Sequence, residues 1–82
     1  MKIVTIVDWF DKQTEELTGS EEITNISINQ LQDILAIPED PDDPELIAGG
    51  YALDKTRLDR LIPFMEHQYD LSKYDYFLGR FG

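Results

Sequence analysis

Cysteine is absent from this 82-residue chain, which excludes disulfides and thiolate metal ligands and fits a reducing compartment. Histidine occurs once, as His67, so a His-based metal or general-base site has few partners to draw on; a structural or surface role is expected. No Gly-rich phosphate loop exists, and no Ser-His-Asp set can be argued beyond composition. Basic residues are scarce: 7 Lys and Arg stand against 17 Asp and Glu, giving a net charge of −10 and a pI near 4.2. Phosphate contacts need Lys and Arg, so nucleic-acid binding is not expected. The small cluster Lys55, Arg57 and Arg60 reads as a solvated helix face that partly offsets the acids. Long apolar runs are also missing. The β-branched stretch in MKIVTIVDWF is too short for a signal-peptide core or a membrane span. A soluble intracellular protein with no membrane contact is the expectation.

What is present argues against a disordered acidic tail. Hydrophobic residues make up 41% of the chain, with 4 Tyr, 4 Phe and 1 Trp. The length suits a single domain over residues 1–82 with a modest core. It leaves little room for an enclosed active site, so no catalytic residue, metal or cofactor is expected and the chain is read as a non-enzyme. A folded acidic surface of this kind repels nucleic acid and membranes and attracts a basic partner.

Residues 2–10 have strand composition. With period two, Ile3, Thr5, Val7 and Trp9 share one face, and Val4, Ile6, Asp8 and Phe10 share the other. Such a strand is covered on both sides or left open for a partner. A turn at Asp11-Lys12-Gln13 and a second strand over 15–23, weakened by Gly19, make an antiparallel hairpin. Ser27 and Gln30 form a capping box for a short helix ending near Ala36, with Ile28, Leu31 and Leu35 at helical spacing. Residues 38–45 read as an extended, acidic, Pro-broken loop. Gly49-Gly50 permits a turn, Tyr51-Ala52-Leu53 a short strand, and Asp54 a cap for a second helix. Leu58, Leu61, Ile62 and Met65 would line that helix's apolar face, and Pro63 would end it. Two extended runs follow, at 69–71 and 75–81. In the latter, Tyr76 and Leu78 share one face, and Phe77, Gly79 and Phe81 the other. The predicted fold is α+β, a small four-stranded antiparallel sheet with a short helix on one face and the other face open for a partner.

The carboxylates of Asp40, Asp42, Asp43 and Glu45 do not make a calcium loop, because Pro41 and Pro44 interrupt the ligand spacing and the central Gly is missing. A carboxylate pair for hydrolysis is allowed by residue type alone, but the chain is small for a walled cleft.

Two segments go beyond composition: Trp9-Phe10-Asp11-Lys12-Gln13-Thr14-Glu15, and Pro63-Phe64-Met65-Glu66-His67-Gln68-Tyr69-Asp70-Leu71-Ser72 followed by Asp75-Tyr76-Phe77. They resemble the immunity proteins of cloacin and the ribosome-inactivating E-type colicins, in order along essentially the whole chain. The resemblance implies a four-stranded antiparallel sheet with a helix on one side. It also implies inhibition, by binding, of the basic cytotoxic ribonuclease domain of a bacteriocin or contact-dependent toxin that cuts ribosomal RNA. It further implies a bacterial cytoplasmic protein, monomeric when free and heterodimeric with its toxin. Phe10, Asp11 and Phe77 match family contact positions, as do Glu15 and Leu17, where Leu17 replaces an aromatic. Gly50 and Tyr51 fall where the family sets its choice of toxin, and Gly50 replaces a larger side chain, which implies a different cognate toxin.

Read from the residues alone, Trp9 and Tyr76 face the core, and Phe10 and Phe77 either pack under loops or anchor a partner. Asp8, Asp11, Glu15, Glu16 and Asp75 are either ordinary surface charge or the acidic rim of that site. An acidic interaction module or nucleic-acid mimic unrelated to toxins is the competing expectation, and a small carboxylate hydrolase a third.

Overall fold

The computed structural model describes residues 3–35 and 50–81. The acidic loop expected over 38–45, the helix end at Ala36 and the turn residue Gly49 lie outside them.

Chain order gives β1 (Val4–Asp11), β2 (Leu17–Ile23), α1 (Ile28–Leu35), β3 (Tyr51–Leu53), α2 (Lys55–Leu61) and β4 (Tyr74–Phe81), with a 3-10 turn at Ile62–Phe64 after α2. The strands form one antiparallel sheet in the order β2-β1-β4-β3, so the first and last strands are the central pair. Both helices contribute to a core against one face of that sheet. This is the expected α+β architecture.

Local chemistry explains each boundary. At the start of α1, the Gln30 N–H donates to Ser27 Oγ at 3.2 Å and the Ser27 N–H donates to Gln30 Oε1 at 2.9 Å. That reciprocal pair is the capping box. Leu31, Ile34 and Leu35 are the residues α1 buries. At the start of α2, Asp54 Oδ1 accepts from the Arg57 N–H at 2.9 Å, satisfying one of the helix's free donors. Leu58 and Leu61 are fully buried.

The sequence placed Ile62 and Met65 on that same helix face; the structure puts both beyond the helix, with Met65 still packed against the core and Ile62 turned out. The helix tightens into the 3-10 turn containing Pro63, the helical spacing stops, and Ile62 is 50% exposed. The extended run expected at 69–71 is not a strand; residues 66–73 cross as a bent, turn-rich segment before β4. The second strand begins at Leu17 rather than at Glu15, because Glu15 sits in the hairpin turn with φ 61°.

Nor are the bases of α2 simply a solvated face. Arg57 donates to the carbonyls of Leu35, at 2.6 Å, and Ala52, at 2.8 Å, and Arg60 donates to the Asp33 carbonyl at 3.1 Å. Arginines on one helix thereby bond carbonyls in the last turn of the other, where the backbone dipole favours positive charge.

On the helix side, Val7, Tyr76 and Leu78 from the central strands meet Leu31, Leu35, Leu58 and Leu61. Polar groups on this side find partners within the chain. Arg80, buried, donates from Nε to Thr5 Oγ1 at 3.0 Å. Glu21, on β2, accepts from the backbone N–H groups of Glu66, at 2.7 Å, and His67, at 3.0 Å. One carboxylate thus fastens the irregular 66–73 segment to the sheet edge.

Candidate protein-binding face

The opposite face of the sheet has no helix against it among the described residues. Alternation brings Val4, Ile6, Asp8 and Phe10 of β1 to this side, where they are half-buried. β4 contributes Asp75, Phe77, Gly79 and Phe81, paired in register as Phe10 with Asp75, Asp8 with Phe77, Ile6 with Gly79 and Val4 with Phe81. β2 adds Ser20 opposite Asp8 and Glu22 opposite Ile6. Phe77 is 39% exposed and Phe81 54%. The rings of Phe10 and Phe77 meet edge to face with centroids 5.7 Å apart, a favoured aromatic geometry.

Leu17 reaches this face by a device that the alternation does not show. Counting back from Glu21 and Gly19, it belongs to the core side. A register shift between Trp9 and Phe10 makes Trp9 oppose Gly19 while Phe10 opposes Leu17, so Thr18 is the extra residue of a β-bulge. The bulge turns Leu17 outward beside Phe10, where it is 59% exposed. Leu17, Phe10 and Phe77 therefore form one continuous apolar strip.

The expected acids divide into distinct roles. Asp8 stands on a central strand within the apolar strip and makes no hydrogen bond or ion pair among the described residues. Asp75 is 3.3 Å from Lys12 Nζ, so its charge is partly offset at the rim. Asp11 is structural: its Oδ1 accepts from the Gln13 N–H at 2.8 Å and the Thr14 N–H at 3.1 Å, which shapes the hairpin turn. Glu15 donates its N–H to the Asp11 carbonyl at 2.8 Å and holds the left-handed position of that turn, with its side chain exposed. Gly50 immediately precedes β3, and Tyr51 pairs with Leu78, packs against the core and therefore faces the helix side. Asp8, Phe10, Leu17, Asp75 and Phe77 are brought together, then, with Asp11 and Glu15 at the adjoining turn and Tyr51 on the other side of the sheet.

His67 is engaged in the fold. Its ring stacks on Trp9 with centroids 4.0 Å apart and planes 10° from parallel, and its Nε2 lies 2.9 Å from the Tyr76 hydroxyl. That hydroxyl also accepts from the Asp70 N–H at 2.8 Å, and burial pushes the phenol's pKa up. On its sheet side the Trp9 indole covers Gly19, where an added Cβ would come within 2.5 Å of the ring. The glycine that reads as a weak point in β2 is thus the seat of the tryptophan. Among the described residues no group of three or more His, Asp or Glu side chains could hold a metal ion, and no helix is long and apolar enough to cross a membrane.

Comparison with known proteins adds the family. The profile of a domain of unknown function, DUF7683, matches residues 4–79, which run from the first residue of β1 almost to the end of β4. The chain belongs to the DUF7683 family. A search of curated proteins gave no match. The DUF7683 match spans both central strands, and so includes the apolar strip together with the core beneath it.

Two features of the open face were not singled out from sequence, Phe81 and the gap at Gly79. Their signal was present in Phe77-x-Gly79-x-Phe81, two aromatics four residues apart on one strand face with a glycine between them.

Proposed function

We propose that this DUF7683 domain is an immunity protein that binds and inhibits the basic ribonuclease domain of a cognate bacterial toxin through the open sheet face. One observation carries the reading: a carboxylate with no partner among the described residues, Asp8, stands beside aromatic and aliphatic side chains on the two central strands of a strongly acidic domain. A solubility role alone does not call for apolar groups there, since exposed contiguous apolar surface marks interaction sites. The resemblance of the Trp9–Glu15 and Pro63–Phe77 segments to the cloacin and colicin immunity proteins supplies the class of partner.

The proposed mechanism needs no chemistry by this chain. Opposite net charges accelerate encounter, with a rate that falls as salt rises. Phe10, Phe77 and Leu17 then lose their water against the partner and slow dissociation. Asp75, Asp11 and Glu15 lie toward the hairpin end and supply a polar rim. A standard interface of roughly 800 Å² per partner fits one face of a domain this size.

The test is an RNA-cleavage assay with the toxin domain encoded beside this chain. Stoichiometric addition of the chain should abolish cleavage and give a one-to-one complex on size exclusion. Undiminished cleavage with no complex removes the toxin reading and leaves an acidic adaptor or nucleic-acid mimic as the alternative.

A further inference from the structure

The open face contains a notch. Asp8, Gly50, Phe77, Gly79 and Phe81 surround a recess of about 190 Å³, completed by Leu78 and Arg80. Its origin is compositional. Gly79 and Gly50 bring no side chains to the sheet surface, while Phe77 and Phe81 stand on either side of Gly79 along β4. The Phe81 ring leans back over Gly79, with ring atoms 3.0 and 3.1 Å from where a Cβ would be. Space beside Gly50 is open; a Cβ there would meet nothing nearer than the Leu78 carbonyl at 3.9 Å.

We propose that this notch seats the guanidinium of an arginine from a basic partner protein. The inference rests on the reading of the open face as a protein-binding surface, and it names what that face recognises. Three properties converge. Phe77 and Phe81 are four residues apart on one strand face, roughly 13.6 Å along β4, and the lean of the Phe81 ring over Gly79 narrows the recess that both rings line. A flat cation entering the recess gains from an aromatic face among its walls. Asp8 is the direct cross-strand neighbour of Phe77, and cross-strand neighbours on one face have Cβ atoms about 5 Å apart. Asp8 lines the recess, and its carboxylate has no partner among the described residues. Arginine matches this combination better than lysine, because its planar fork stacks and pairs with a carboxylate at once. The guanidinium of Arg80 is committed elsewhere, to Thr5.

The test titrates the full chain with Nα-acetyl-arginine amide, following backbone amide signals by NMR, with the lysine and the neutral citrulline analogues as comparators. Arginine should give saturable shifts centred on Phe77, Gly79 and Gly50. Lysine should bind about tenfold more weakly, lacking the planar fork, and citrulline should not saturate. Asp8→Asn should abolish saturation, and Phe81→Leu should weaken it, with the remaining amide spectrum unchanged in both. Shifts spread evenly over exposed acids, equal response to citrulline, or an unaltered titration in Asp8→Asn each overturn the proposal. So do concentration-dependent shifts at these amides without ligand, which would mean that a second copy covers the face. The two readings fail separately. Arginine in the notch without toxin inhibition removes the toxin and keeps the notch; inhibition unaffected by Asp8→Asn, with no arginine response, removes the notch and keeps the toxin.

Discussion

On β4, Tyr76 and Leu78 are at most 2% exposed, while Phe77 between them is 39% exposed and Phe81 beyond them 54%. The two faces of the sheet differ as sharply in how they treat polar groups. Toward the helices, Glu21, Arg80 and the Tyr76 hydroxyl each bond to another part of the chain. Toward the open side, Asp8 bonds to nothing among the described residues, although Phe77 is its cross-strand neighbour on one side and Ile6 and Phe10 flank it on its own strand. A carboxylate held among apolar groups is destabilised unless paired, and a protein that needs only its own fold gains nothing from it there. One face is closed on the domain itself, and the other carries the proposed partner surface.

The sharpest way to break this contrast is to truncate equivalent side chains on opposite sides. Leu58→Ala empties a fully buried site and should cost about 2–5 kcal/mol in urea denaturation. Leu17→Ala, by contrast, should stay within about 0.5 kcal/mol of the parent. Equal losses would mean that the open face is part of the stabilising core. A smaller but distinct loss is expected at Gly19→Ala, whose methyl would meet the Trp9 indole at 2.5 Å. Overpacking of this kind costs about 1–3 kcal/mol, and the displaced stack on His67 should show in the near-ultraviolet circular dichroism of Trp9. At the hairpin, Glu15→Gly relieves the left-handed backbone at φ 61°. The gain should be no more than about 1 kcal/mol, because glycine is also freer in the unfolded chain. A loss of stability there would show that the Glu15 side chain supports the turn.

The smallest effect concerns pH. A hydrogen bond from Lys55, and then one from Tyr69, hold the Asp59 carboxyl below its ordinary pKa of 3.8, and bonds from Ser72 do the same for Asp70. Folded values below the unfolded ones mean that this stabilisation is present above pH 3.8 and fades as pH falls through the lowered folded values. Carboxyl-detected NMR titration should give midpoints below 3.8 for both groups, and Lys55→Met should raise that of Asp59. Since both groups are exposed, solvent screening keeps the contribution to stability slight.

Much of this architecture was legible in local sequence. The β-branched run of β1, the Ser27–Gln30 box, the Asp54 cap and the alternation around Tyr76 and Phe77 are short-range signals, and each marks the element it predicts. The rest depends on partners distant in the chain. Glu21 and the N–H of Glu66 are 45 residues apart, and neither position carries a sign of the other. Leu17 was expected at a contact position from the resemblance alone; strand alternation does not place it there, and the bulge at Thr18 turns it outward. That bulge lies beside the seat of Trp9 on Gly19, and no period-two count contains it. Ile62 reads as apolar helix face until Pro63 tightens the backbone. At the candidate site, the aromatic and acidic residues were visible one by one. The notch was not, because it is made by what Gly50 and Gly79 leave out.

The central pair of the sheet joins Val4 to Phe81, the near-extremes of the sequence. Each edge strand therefore pairs with one member of that pair, and β1 finds its inner neighbour only when β4 has been synthesised. During translation the hairpin of β1 and β2 can close, but it has no completed sheet to join until β4 has emerged from the ribosome. Sheets dominated by such distant pairings fold slowly, since the loop must close before any contact rewards it. Trimming β4 would remove an inner strand, so proteolysis at that end should abolish the domain as a unit.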